Sequence, residues 1–102
     1  MYKNTLNNDN DTDIVIEKDL TFDELVGDIL QKSLVVHNDN VNTFDWVILS
    51  LMEICDHTME QAEQCALIVH TKGKCSVKGG TEDTLRPLRR GLVDRGINAT
   101  IE

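Results

Sequence analysis

The sequence predicts an α+β domain in which a three-stranded antiparallel sheet carries three helices on one face. Three observations predict it. Leu34-Val35-Val36, Lys74 to Lys78 and Ile97 to Ile101 are β-branched or alternate polar with apolar, as strands do; three other stretches carry apolar residues at helical spacing. Taken together, they run strand, helix, helix, strand, helix, strand. The 102 residues are enough for one core and too few for two.

Charge divides the chain before any element does. Residues 1–32 hold eight acids against three bases, and residues 33–102 hold ten against seven, giving the net charge of −8. We therefore expect an acidic, largely flexible N-terminal extension over 1–32 and a folded domain over 33–102. Residues 3–13, KNTLNNDNDTD, have too little apolar surface to offset the entropy of ordering, and read as a mobile tail. Ile14-Val15-Ile16 is too short to separate strand from loop. Thr21-x-x-Glu24 has the form of a capping box, and Phe22, Leu25, Val26, Ile29 and Leu30 share one helical face, weakened by Gly27.

The domain itself opens on the buried strand Leu34-Val35-Val36, which ends in the polar knot 37-HNDN-40. Asn42 or Thr43 can cap the next helix, with Asp45 favourable in its first turn. Its stripe is Phe44, Val47, Ile48, Leu51, Met52 and Cys55; Trp46, Leu49 and Ile54 lie outside it and predict contacts on more than one side. Thr58-x-x-Gln61 opens a second helix with Met59, Ala62, Ala66, Val69 and His70 on its inner face, ended by Gly73. Lys74 to Lys78 alternates as a half-buried strand, and Gly79-Gly80 reads as a turn. Pro87 belongs in a first turn, which puts the third helix's start near Asp83 or Thr84, with Leu85, Leu88, Leu92 and Val93 inward and Gly96 as C-cap. Ile97 to Ile101 is the final strand.

Composition excludes several functions. A phosphate-binding protein needs a basic stripe, so nucleic acid is not an expected partner. Cys55, Cys65 and Cys75 are an odd set without a CxxC pair, which points to free thiols in a reducing compartment. Cys55-x-His57 is at most half of a metal site, so no metal and no cofactor is expected. No apolar run approaches the ~18 residues of a membrane span, and no signal core follows Met1-Tyr2-Lys3, so the expected location is the cytoplasm. The default oligomeric state is a monomer. There is no nucleophile elbow, phosphate loop or complete metal set, so an enzyme is not expected either.

The knot is the chemical feature that remains. Asp39 offers a carboxylate, Asn38 and Asn40 offer amide oxygens, and neutral His70 offers a ring nitrogen. Such acceptors suit a primary ammonium and repel anions. His70 reaches the knot if the two helices joined at Asp56-His57 run antiparallel; alternatively it faces its own helix dipole or the core. If it does accept from an ammonium, its protonation in mild acid would weaken binding.

The runs 38-NDNVNTFDWVI-48 and 61-QAEQCALIVHTKGKC-75 resemble the ClpS adaptor family, in the version found in Bacteroidetes-type bacteria, over about residues 33–102. The resemblance implies a fold also seen in the ribosomal stalk protein's C-terminal domain, and no enzymatic activity. It further implies an adaptor of the N-end rule pathway, which binds N-degron proteins beginning with Leu, Phe, Tyr or Trp. Delivery would be to the N-terminal domain of a Clp AAA+ unfoldase, with the acidic leader assisting. The free α-amino group would be held by Asn38, Asp39, Asn40 and His70. Val36, Asn42, Phe44, Val47, Ala66, Val69 and Ile97 would wall the pocket for the first side chain. Asn40 stands where the family more often has Asp, Phe44 and Ala66 where it often has Met, and the Gly79-Gly80-Thr81 region is shorter. The alternative is a structural interaction module of the same fold, indifferent to a free amine.

Overall fold

The computed structural model describes residues 21–102, so the polar tail at 3–13 and the run Ile14-Val15-Ile16 lie outside the described residues. The elements are α1 (Phe22–Ile29), β1 (Lys32–His37), α2 (Phe44–Cys55), α3 (Met59–Lys72), β2 (Lys74–Gly80), α4 (Glu82–Asp94) and β3 (Ala99–Ile101). The sheet order is β2-β1-β3 with both pairings antiparallel. The predicted class and element order from β1 onward are therefore those of the structure.

β1 is central because its three apolar residues are almost wholly enclosed: Leu34, Val35 and Val36 are all buried. Leu34 pairs with Lys78 and Val35 with Ser76, which leaves Val77 as an extra residue on β2. This bulge lets β2 bend while Val77 stays buried in the core. From the helices come Val47, Leu51 and Cys55 of α2, Ala62, Ala66 and Val69 of α3, and Leu85 and Leu92 of α4. Each fully enclosed leucine contributes about 1.5–3 kcal/mol relative to exposure.

The caps follow the local rules. Thr43 Oγ1 accepts from the N–H of Trp46 and opens α2. Thr58 and Gln61 form the reciprocal box of α3, at 2.9 and 3.1 Å, and Gly73 ends that helix at φ 96°. The α2–α3 turn has Asp56 at φ 58°, left-handed backbone that a short polar side chain tolerates. Thr21 and Glu24 cap α1 reciprocally, and the Thr21 N–H and hydroxyl lower the Glu24 carboxyl pKa. Phe22 and Ile29 of α1 are nonetheless 78% and 79% exposed, so the domain does not cover this apolar face.

Several local expectations are corrected. Gly79 and Gly80 finish β2, opposite Ser33 and Lys32, instead of turning. α4 starts earlier, at Glu82 behind a Thr81 cap, which places Pro87 beyond the first turn. Pro87 and Asp83 both lie on the exposed side, where water can serve the Asp83 carbonyl that a proline cannot. β3 begins at Ala99, not Ile97; the Ile97 N–H donates back to Leu92 and closes the helix end. Gly96 follows the cap residue Arg95, at φ 81°. Met59 and His70 of α3 are exposed, because the inner face is narrowed to Ala62, Ala66 and Val69.

Trp46 explains the second contact side of α2. Its indole N–H donates to the Arg95 carbonyl at 3.0 Å, and the Arg95 guanidinium lies 5.4 Å from the ring centroid. Arg95 also pairs with Glu53 at 2.7 Å and donates to buried Ser50 Oγ at 3.4 Å. Together these contacts fix the start of α2 against the end of α4.

Candidate functional site

The site forms where β1, α2 and α3 end or begin together. At the exit of β1 the His37 N–H donates to the Asn98 carbonyl, and the Asn38 N–H donates to the Gly73 carbonyl at 2.8 Å. That second bond joins the end of β1 to the end of α3. Asp39 then organises the turn: one carboxylate oxygen accepts from the N–H groups of Val41 and Asn42, and the other from the Asn42 side-chain amide. The Asn42 N–H is the main cause that lowers the Asp39 pKa, helped by the Val41 N–H and the Asn42 amide and opposed by partial burial.

These ends enclose a cavity of about 520 Å³. Its polar side is lined by Asn38, Asp39, Asn40, Asn42, Thr43 and His70, and its apolar side by Phe44, Val47, Ala66 and Val69. The structure thus brings together the four residues expected to face an ammonium. Of the seven expected to wall an apolar pocket, five line this cavity. Val36 and Ile97 are 1% and 2% exposed and lie in the core cluster, to which the cavity-lining Val47, Ala66 and Val69 also belong.

Side-chain bonding separates the polar groups into two kinds. Among the described residues no hydrogen bond occupies the side chains of Asn38, Asn40 or His70, so two amide oxygens and a ring nitrogen are free to accept. Asp39 is different. A carboxylate has about four lone-pair sites, and three donors from its own turn are already there. It supplies negative charge and one remaining site, while holding the turn in shape. Asn42, expected as pocket wall, spends its side-chain amide on Asp39 and on the Gly96 carbonyl, each at 2.8 Å.

Thr43, expected as a cap, also lines the cavity, since a helix start faces whatever lies at its N-terminus. Gly73 and Gly96 contribute carbonyls, for which side-chain identity gives no signal. No cysteine or serine is among the residues that line the cavity; the hydroxyl there is that of Thr43, which accepts from the Trp46 N–H as the cap of α2. His57, the other half of the Cys55-x-His57 pair, instead binds the Val77 carbonyl through Nε2 at 2.7 Å. No cluster of three metal-type ligands occurs among the described residues, and none of their helices is long and apolar enough to cross a membrane.

The chain is similar to known proteins in sequence and in fold. The family profile described as ATP-dependent Clp protease adaptor protein ClpS matches residues 30–96. The ATP-dependent Clp protease adapter protein ClpS of Lawsonia intracellularis (strain PHE/MN1-00) is 48% identical over 40 residues, which are 39% of this chain and 37% of that relative. The matched segment thus spans little more than a third of that protein's length. Among solved structures, Agrobacterium tumefaciens ClpS2 bound to L-phenylalaninamide is similar with a TM-score of 0.68, covering 71% of this chain and 94% of the other at 15% identity. At that identity the likeness is one of fold.

Proposed function

The chain belongs to the ClpS family of Clp protease adaptors, and on that premise we propose that it captures proteins through a free α-amino group and a bulky apolar first residue. It then delivers them to a Clp AAA+ unfoldase. The observation that carries this reading is the pairing, in one cavity, of unoccupied acceptors with an apolar side made by two different helices.

The chemistry is recognition without reaction. An ammonium has three N–H donors and one charge; Asn38, Asn40 and His70 offer three acceptors, and Asp39 offers the opposite charge. Charge-assisted bonds of this kind are worth about 1.5–3 kcal/mol each. The first side chain enters between Phe44, Val47, Ala66 and Val69, in a volume ordinary for small ligands. A blocked amine loses the polar contacts, and a small first residue loses the apolar ones. The ligand of the Agrobacterium tumefaciens relative, L-phenylalaninamide, carries both features and supports the same reading.

Delivery is assigned to the acidic extension at 1–32 together with a surface of the domain at 33–102. Removing residues 1–20 is expected to spare peptide binding while impairing degradation by the unfoldase and its protease.

The deciding experiment is fluorescence polarisation with a labelled peptide beginning in Phe or Leu and its Nα-acetylated twin, on wild type and His70→Ala. Binding of the free amine alone, weakened in the variant, is the expected result. Indifference to acetylation would favour a structural interaction module of the same fold.

A further inference from the structure

We propose that Asn42 is a positioning residue for amine capture: its side-chain amide ties the Asp39 turn to the backbone at Gly96 and so holds the acceptors in register. The inference rests on the amine-capture reading of the cavity and adds a residue that acts through Asp39, not on the bound side chain.

Asn42 Nδ2 lies 2.8 Å from Asp39 Oδ2 and 2.8 Å from the Gly96 carbonyl oxygen. Both partners are acceptors, so the amide has one sensible orientation, with its two hydrogens spent on them. The other bonds of the turn, from the N–H groups of Val41 and Asn42 to Asp39 Oδ1, are local and span at most three residues. They shape the turn but do not place it. The Asn42 amide reaches 54 positions along the chain, to the turn that follows α4.

The far end of the tether is itself fixed. The Arg95 carbonyl, immediately before Gly96, accepts from Trp46 Nε1 at 3.0 Å. Consecutive carbonyls are thus held by side chains from either side of the α2 N-terminus. Gly96 has φ 81°, and a Cβ there would stand 4.0 Å from Asn42 Oδ1, so the amide lies directly beside this left-handed turn. An apolar pocket wall would need none of these contacts.

The chemistry allows a polarity test. Asn42→Asp keeps the shape but turns a double donor into an acceptor facing a carboxylate and a carbonyl. Combining it with Asp39→Asn restores a donor opposite an acceptor at the same net charge as wild type, though not the bond to Gly96.

We would titrate a labelled Phe-initiated peptide and its Nα-acetylated twin into wild type, N42D, D39N and D39N/N42D. Far-UV circular dichroism and the fluorescence of the sole tryptophan, Trp46, check the fold. N42D is expected to bind the free amine roughly tenfold more weakly, and the double variant better than the product of the single losses predicts. If N42D does not fold, Asn42→Ala removes the donors without adding charge and should show the same loss. Strictly multiplicative losses, or wild-type affinity in N42D or Asn42→Ala, would overturn the positioning role while leaving amine capture intact. A wild type that ignores acetylation would overturn both.

Discussion

The N–H of Asn38 lies 2.8 Å from the carbonyl oxygen of Gly73 and donates to it. This bond closes the corner between β1 and α3, and it brings His70, one turn before Gly73, to the same cavity as the asparagines. Residues 32 positions apart in the chain face one space because two element ends share one peptide hydrogen bond.

Gly73 should therefore be sensitive to substitution for backbone reasons. Its φ is 96° and a Cβ would meet nothing within 4 Å, so Gly73→Ala adds strain without a clash. We expect a loss of about 1–2 kcal/mol in urea unfolding, together with weaker binding of a free-amine peptide. An unchanged midpoint would mean that the corner relaxes without loss.

Phe44 and Leu51 should separate binding from stability. Phe44 is 45% exposed and lines the cavity, whereas Leu51 on the same helix is completely buried. Leu51→Ala is expected to cost about 2–5 kcal/mol of unfolding free energy. Phe44→Ala should leave the unfolding midpoint closer to wild type and reduce affinity for peptides beginning with a bulky residue. Measuring both variants by denaturation and by polarisation checks the division; equal destabilisation would place Phe44 in the core.

Asp39 gives a pH prediction with a definite sign. Hydrogen bonds, led by that from the Asn42 N–H, lower its folded-state pKa below the unfolded one. Its stabilising contribution is then complete above the unfolded value, about pH 4. It is lost as pH falls through the lower folded value. The melting temperature of wild type should drop more steeply in this acidic window than that of Asp39→Ala. Parallel curves would remove Asp39 from the linkage.

The thiols of Cys55 and Cys65 should be slow to react. Burial, and then the neighbouring Cys75 thiol, push the Cys65 pKa up to about 12, and burial also raises that of Cys55. Since the thiolate is the reactive form, iodoacetamide at about pH 8 should modify native Cys65 far more slowly than the unfolded chain. Peptide mapping by mass spectrometry reads this directly. Rapid labelling of native Cys65 would contradict the half-buried, protonated thiol.

Much of the fold was legible because its signals are local. Thr58 with Gln61 and the spacing of Val47, Leu51 and Cys55 need no distant partner to be read, and both elements occur as expected. The errors fall where local rules compete with tertiary contacts. Gly79-Gly80 looks like a turn but pairs with Lys32 and Ser33, and His70 has the spacing of an inner-face residue yet is exposed. Family resemblance supplied the expected pocket walls; in the structure Val36, Ile97, Val47 and Ala66 all belong to the core cluster, and Val47 and Ala66 also border the cavity.

By itself the sequence determined the element order, the caps and the inventory of acceptors at residues 38–40, because propensity, periodicity and side-chain chemistry are properties of neighbouring residues. Only the tertiary structure decided which acceptors stay free and which are spent. Asn38 and Asn40 carry the same amide as Asn42, but only Asn42 has a carboxylate and the Gly96 carbonyl within 2.8 Å. Hydrogen-bond occupancy depends on what the rest of the chain brings near, and that is fixed by packing rather than by residue type.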